Sequence, residues 1–271
     1  MKTNPTLEIL ISTMNRKDLS FLEKMFPVLD LEQYQLLIIN QTKLDEDLVS
    51  DVEGIRIINS REFGLSKSRN LAIENAKGDI LVFADDDIEY LPGFDKTILK
   101  AYETYPKASL ISFQFVNENN ELAKYYPKKE GYIKSSKRPL SSVEITFKKK
   151  DIIDNGIRLN ENFGLGSTFP CGEEQLFKRD FLQHNLKVAF VVKPIVIHTG
   201  KTSGSSLQAK KSIEANTAQK YIQYKKWTYL WMIKYVFFLF RHSYISFFGQ
   251  IKAYRIGMKA ISKLKKIKHE D

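Results

Sequence analysis

The sequence predicts an α/β fold: a mostly parallel sheet flanked by helices, followed by a helical, basic and amphipathic appendage. Three observations predict it. Continuous apolar runs of strand length alternate with helical stretches through the first half of the chain, as strands buried on both faces do. Polar groups gather where those runs end. Basic residues are concentrated in the last quarter: from Leu207 onward there are 14 Lys/Arg against 3 Asp/Glu, in a protein with 42 against 32 overall.

The elements follow in order. Residues 7–13 read as a buried strand, and 17–26 as a helix stopped by Pro27. Further strands fall at 34–40 and 55–59, then a helix over 66–76 with Gly78 as its C-terminal stop. Residues 79–84 form the fourth strand, Pro92-Gly93 opens a helix to 105, and 109–116 is a fifth strand. The polar, lysine-rich stretch 117–140 reads as an excursion. A strand over 143–147 and a short helix over 151–155, ended by Gly156, come next. The glycine-containing loop 163–166 leads to Cys171-Gly172-Glu173-Glu174, which opens a helix through 184. A short strand at 187–192 and a second apolar run at 195–197 precede His198.

With 271 residues, 43% of them hydrophobic, the chain can bury a sizeable core. The expected division is a domain over 1–206 and a helical tail over 207–271. The single cysteine, Cys171, excludes an internal disulfide framework and fits a reducing compartment. The N-terminus runs straight into the first strand with no signal-peptide pattern, so the expected location is cytoplasmic.

Asp85-Asp86-Asp87 directly follows the apolar run Ile80-Leu81-Val82-Phe83-Ala84. Like charges repel, and holding them at the end of a buried strand adds a desolvation cost. A hard divalent cation, Mg²⁺ or Mn²⁺, would resolve this; the plain alternative is a solvated acidic turn. Ligands of parallel sheets bind at the carboxyl ends of the strands. Thr13, Asn40, Asn59 and the triplet all fall there, where a nucleotide is expected. Thr13, Asn15, Asn40 and Arg69 are nucleoside-pocket candidates by position; the plain reading of Arg69 is a surface helix charge.

Three segments carry a resemblance: Ile11 to Arg16, Glu62 to Asn70 (EFGLSKSRN), and Gly78 to Phe94 (GDILVFADDDIEYLPGF), continuing through Glu173-Glu174 and His198. Together, in this order, they resemble a GT-A glycosyltransferase of family 2. The resemblance implies a nucleotide-sugar donor (a UDP-sugar), Mn²⁺ or Mg²⁺, inversion at the anomeric carbon and a single displacement. The triplet aligns with the family's aspartate (DXD) motif. Asp87 is then the direct metal ligand, Asp86 a ribose or sugar contact, and Asp85 shared between these roles. His198 is the further metal contact, and Lys201 reaches the diphosphate unless it is a solvated loop charge. Glu174 matches the second carboxylate of the family's Glu-Asp pair and is the candidate general base. Glu173 contacts an acceptor hydroxyl or orients the loop. The plain alternative is that both favour the helix N-terminus. This chain departs from the family in its Glu-Glu pair, in Met14 after the threonine, and in Asn40-Gln41-Thr42 where an aspartate-rich turn is usual.

Residues 225–250 combine a dense aromatic run with Lys234 and Arg241, which interrupt any spanning helix. Followed by Lys252, Arg255, Lys259 and Lys263, they read as a basic amphipathic helix at an anionic membrane surface. Packing on the domain or a homo-oligomer interface is the alternative. A nucleic-acid partner is not expected, because it leaves the carboxylates without purpose. The sequence thus points to a membrane-associated transferase extending a lipid-linked saccharide at the cytoplasmic face, as in capsule or exopolysaccharide assembly. The rivals are a metal-dependent nucleotidyltransferase and a non-catalytic binding protein on a degenerate form of this fold.

Overall fold

A computed structural model describes residues 5–27, 31–43, 45–133, 139–198 and 210–270. They form two compact units. One contains the described residues up to 160 together with 174–198, the other 161–173 with 210–270.

The first unit is built on one sheet. Its strands are β1 (Leu7–Met14), β2 (Gln35–Gln41), β3 (Ile55–Ser60), β4 (Ile80–Asp85), β5 (Ile88–Tyr90), β6 (Ala108–Val116), β7 (Gly131–Ile133), β8 (Ile145–Lys148) and β9 (Lys187–His198). They lie in the order β3-β2-β1-β4-β8-β6-β9-β5, with β7 also paired to β9. The first four neighbours are parallel, as are β6 and β9, while β8 runs antiparallel between β4 and β6.

Strand alternation explains why these runs are apolar throughout. Ile9, Ile11, Ile38 and Val82 face a layer containing α1 (Phe21–Met25) and α3 (Phe94–Thr104). Leu10, Leu37, Leu81 and Phe83 face the other way, onto α2 (Leu65–Asn75) and the Phe177 and Phe181 rings of α5 (Glu173–Gln183). A short α4 (Lys149–Asp154) follows β8, and Gly156 behind it takes a φ of 61°.

Several expectations are corrected. The helix expected over 17–26 is confined to Phe21–Met25. Asn15, at φ 53°, donates its N–H to the Gln41 carbonyl, and Asp18 accepts from the Ser20 N–H, so the chain turns before it coils. Gly78 is not a left-handed helix stop; α2 ends at Ala76 in an extended conformation. Glycine is needed at 78 because a Cβ there would lie 2.6 Å from Glu8 Cβ and 3.0 Å from Glu8 N. The buried Glu8 carboxylate accepts from the Gly78 N–H at 2.7 Å and pairs with Arg56. The runs at 187–192 and 195–197 are one strand, β9, which passes through Pro194 where its pairing with β6 shifts register. Irregular pairing is where a sheet accommodates a residue that cannot donate.

The second unit contains α6 (Lys210–Tyr224), a 3₁₀ turn (Lys225–Trp227), α7 (Thr228–Arg241) and α8 (Gly249–Glu270). The single amphipathic helix expected over 225–250 is thus broken. Among the described residues, no helix is long and apolar enough to cross a membrane. Ile213, Val236, Leu239 and Ala253 form a common core. Residues 161–173 join these helices: Gln219 donates to the Gly172 carbonyl and Lys263 to that of Thr168.

Gly78→Ala is expected to lower stability by about 2 kcal/mol, the range for forcing a group into a packed backbone contact. Urea denaturation of the full chain measures this, and a loss below about 0.5 kcal/mol would refute the close-packing account.

Candidate active site

Parallel register lines the strand ends up. Thr13 stands opposite Asn40, Asn40 opposite Asn59, and Ser12 opposite Asp85. The polar residues noted at separate strand ends therefore form one row along the carboxyl edge. Asn40 is fully buried within it. Its Oδ1 accepts the Arg16 N–H at 3.0 Å, and its Nδ2 donates to the Arg16 carbonyl and to Asn59 Oδ1. Its side chain holds the turn after β1. Asn15 is exposed in that turn.

Each carboxylate of the triplet meets a different partner. Asp85 Oδ1 accepts from Arg69 Nη2 at 2.8 Å, and its Oδ2 from the Ser142 hydroxyl at 3.2 Å. Asp86 Oδ2 accepts from Arg16 Nη2 at 2.7 Å and Nε at 2.9 Å, and from the Thr13 hydroxyl. Asp87 Oδ1 lies 3.5 Å from His198 Nε2. The His198 imidazole, by hydrogen bonding, holds the Asp87 carboxyl below its ordinary value against the opposing effect of burial. Topology explains this last meeting: β5 returns antiparallel to β9, setting Ile88 opposite His198 and Asp87 beside the ring.

Arg69 is the centre of the arrangement. Its side chain has no solvent exposure and lies in α2 with the guanidinium 5.3 Å above the Phe83 ring. Besides Asp85 it faces Glu174, whose Oε1 is 3.9 Å from Nη1. Glu174 sits in the first turn of α5 and keeps partial exposure. Glu173, the residue before it, is buried. Asn70, next to Arg69, points elsewhere: its amide exchanges two hydrogen bonds with the Leu159 backbone. Lys201 lies outside the described residues.

Among the described residues, no group of three or more His, Cys, Asp or Glu side chains is gathered to hold a metal ion. Asp87 and His198 still converge as one oxygen and one nitrogen donor. As a donor set that pair fits a divalent ion such as Mn²⁺ or Mg²⁺ whose remaining positions are filled by other oxygens.

Two residues were missed as site members. Arg16 follows the first strand closely and supplies the counter-charge to Asp86; its signal in the sequence is a cation three residues past Thr13, at the end of the segment Ile11 to Arg16. Ser142 reaches Asp85 from a 3₁₀ turn (Ser142–Glu144) ahead of β8. That turn is fixed by Glu144, fully buried, which accepts from Lys124 and Tyr126 of the lysine-rich excursion. No local pattern announces this network.

Arg69→Ala should destabilise the protein by about 3 kcal/mol or more, because it strips the cation from a partly buried carboxylate and leaves a void. Arg69→Lys should recover only part of this, since an ammonium cannot meet Asp85 and Glu174 with one planar fork. Chemical denaturation of both variants decides it; a loss below about 1 kcal/mol for the alanine would overturn the central role of the pair.

Known proteins bear out the architecture. In the solved S. aureus TarS fragment 1–349 the match has a TM-score of 0.54 at 13% identity, covering 80% of this chain and 65% of that one. The same fragment in complex with UDP-GlcNAc gives 0.54, 13% identity and coverage of 80% and 66%. Against the longer S. aureus TarS structure the chain spans 40% of its length. No curated protein matches the sequence. The family model described as "Glycosyl transferase family 2" matches residues 8–186, so that strand row, triplet and Glu174 all lie inside it, and the chain belongs to glycosyl transferase family 2.

Proposed function

We propose that this protein is an inverting glycosyltransferase that moves a sugar from a UDP-sugar to a hydroxyl of a lipid-linked saccharide. The pathway is assembly of a cell-envelope polysaccharide such as capsule or exopolysaccharide. One observation carries the reading: a single buried guanidinium pairs with Asp85 of the triplet and faces Glu174. Arg69 thereby couples a donor-side carboxylate to an acceptor-side one and fixes their separation. The complex of the TarS fragment with UDP-GlcNAc supports a UDP-sugar as the donor class.

In the reaction the acceptor oxygen attacks the anomeric carbon while its proton passes to a Glu174 oxygen. The bond from that carbon to the diphosphate oxygen breaks, and the diphosphate departs with the electron pair. Attack and departure on opposite faces invert the anomeric centre. Arg69 holds Glu174 toward the reacting atoms, and Asp86 and Thr13 meet ribose or sugar hydroxyls once Arg16 yields its place. Asp87 and His198 would hold Mn²⁺ or Mg²⁺, which supplies Lewis-acid neutralisation of the departing diphosphate.

The second unit supports attachment to the anionic inner face of the cell membrane. Between Glu214 and Glu270 the sequence holds no carboxylate, so nothing there offsets its lysines and arginines.

Glu174→Gln keeps the shape of the side chain and removes the proton acceptor. UDP release from a panel of UDP-sugars should fall about 10²- to 10⁴-fold while UDP affinity, measured by calorimetry, stays unchanged. Near-normal turnover would assign the base elsewhere. For Asp87→Ala, UDP affinity in the presence of Mn²⁺ should drop about tenfold or more, with little change in chelator. Equal affinities with Mn²⁺ would remove Asp87 from the metal site.

A further inference from the structure

We propose that the outer face of α7, with the turn joining it to α8, is a wedge that inserts into the headgroup region of an anionic bilayer. This deepens the membrane reading above and rests on it. A helix in a water-soluble unit turns its polar side outward; α7 does not. Thr228, Met232, Val236 and Leu239 are buried on its inner face. Leu230, Ile233 and Phe237 lie on the opposite face, exposed by 54%, 57% and 55%. In the turn and at the start of α8, Phe247, Phe248 and Ile251 are exposed by 65%, 80% and 59%.

These two patches are continuous. Phe237 meets Phe240 at 6.5 Å, Phe240 meets Phe247 at 5.8 Å, and Phe247 meets Phe248 at 5.7 Å between ring centroids. A contiguous exposed apolar surface of this kind marks an interaction site. Cations border it. Lys234 and Arg241 project from the outer side of α7, and Lys252 and Arg255 from that of α8, all exposed. Their aliphatic stems can lie along the apolar surface with the charged ends at lipid phosphates.

The charge pattern selects the occupant. Two copies of this chain meeting through the face would set cations against cations with no carboxylate to relieve them. Leu230, Ile233 and Ile251 interleave the exposed rings with aliphatic groups on which no nucleic-acid base stacks. An anionic lipid surface satisfies both the rings and the cations.

The protein carries its own reporter. Its two tryptophans are Trp227, exposed, and Trp231, half-buried and stacked on Tyr235, both at the head of α7, so intrinsic emission reports on this helix. The full chain should sediment with vesicles of phosphatidylcholine and phosphatidylglycerol, and a brominated phosphatidylcholine in them should quench the emission. Raising salt to about 0.5 M should remove only part of the binding, because screening acts on the cations and not on the inserted rings. Phe237→Ser/Phe248→Ser should cut partitioning about tenfold or more and make the remainder fully salt-reversible. Lys234→Gln/Arg241→Gln should weaken binding at low salt yet keep the quenching. Both side-chain pairs are exposed, so thermal unfolding and UDP binding should match those of the unaltered chain.

If the unaltered chain ignores anionic vesicles, the membrane reading and the wedge both fall, while UDP binding still reports on the transferase reading. If it binds but the serine variant binds equally, the membrane reading stands and the wedge is overturned. A concentration-dependent dimer that the serine variant abolishes, without vesicle binding, would assign the face to a second copy of the chain.

Discussion

The buried pair of Arg69 and Asp85 is the constraint on which the rest of the site depends. A guanidinium with no solvent exposure loses its hydration, and the fold must return those contacts through carboxylates and ring faces. Asp85 ends a strand, Phe83 lies two residues earlier on the same face of that strand, and Glu174 opens a helix far along the chain. One planar cation therefore sets the relative positions of α2, β4 and α5. The neighbouring carboxylates diverge because the cation on this side is taken: Asp86 turns to Arg16 and Asp87 to His198.

Around that pair the sheet acts as a ruler. Parallel pairing in register sets Thr13, Asn40 and Asn59 side by side at the carboxyl edge. Asn40 then ties the turn after β1 so that Arg16 reaches Asp86. On the other side, the insertion of β8 between β4 and β6 brings Ser142 to Asp85. The lysine-rich excursion contributes Lys124 and Tyr126 to the buried Glu144 that supports this turn. Its polar composition reflects an internal network as well as a solvated surface.

The helical unit follows a different logic. Aromatic density in a sequence signals burial or an interface without distinguishing them. In α7 the core stripe is Thr228, Met232, Val236 and Leu239, while the rings lie half-buried or exposed on the remaining surface. Gly257 marks a close approach of the helices: a Cβ there would meet Met232 of α7 at 2.5 Å and Thr217 of α6 at 3.0 Å.

By itself the sequence determined the alternation of strands and helices, the burial of the sheet on both faces, the row of polar strand ends and the confinement of net positive charge to the tail. Each follows from local periodicity or composition, which the chain carries whatever its tertiary partners. It also showed that the acidic triplet required positive charge. Only the tertiary structure decided which charges answer it. Arg16, Arg69 and His198 are separated from their carboxylates by up to 111 residues and meet them through parallel register, helix packing and the return of β5 along β9. The same holds for Gly78, read as a helix stop but required by the approach of Glu8 across the sheet edge. Pairings between distant segments are set by the geometry of packing, and no window of sequence contains that geometry.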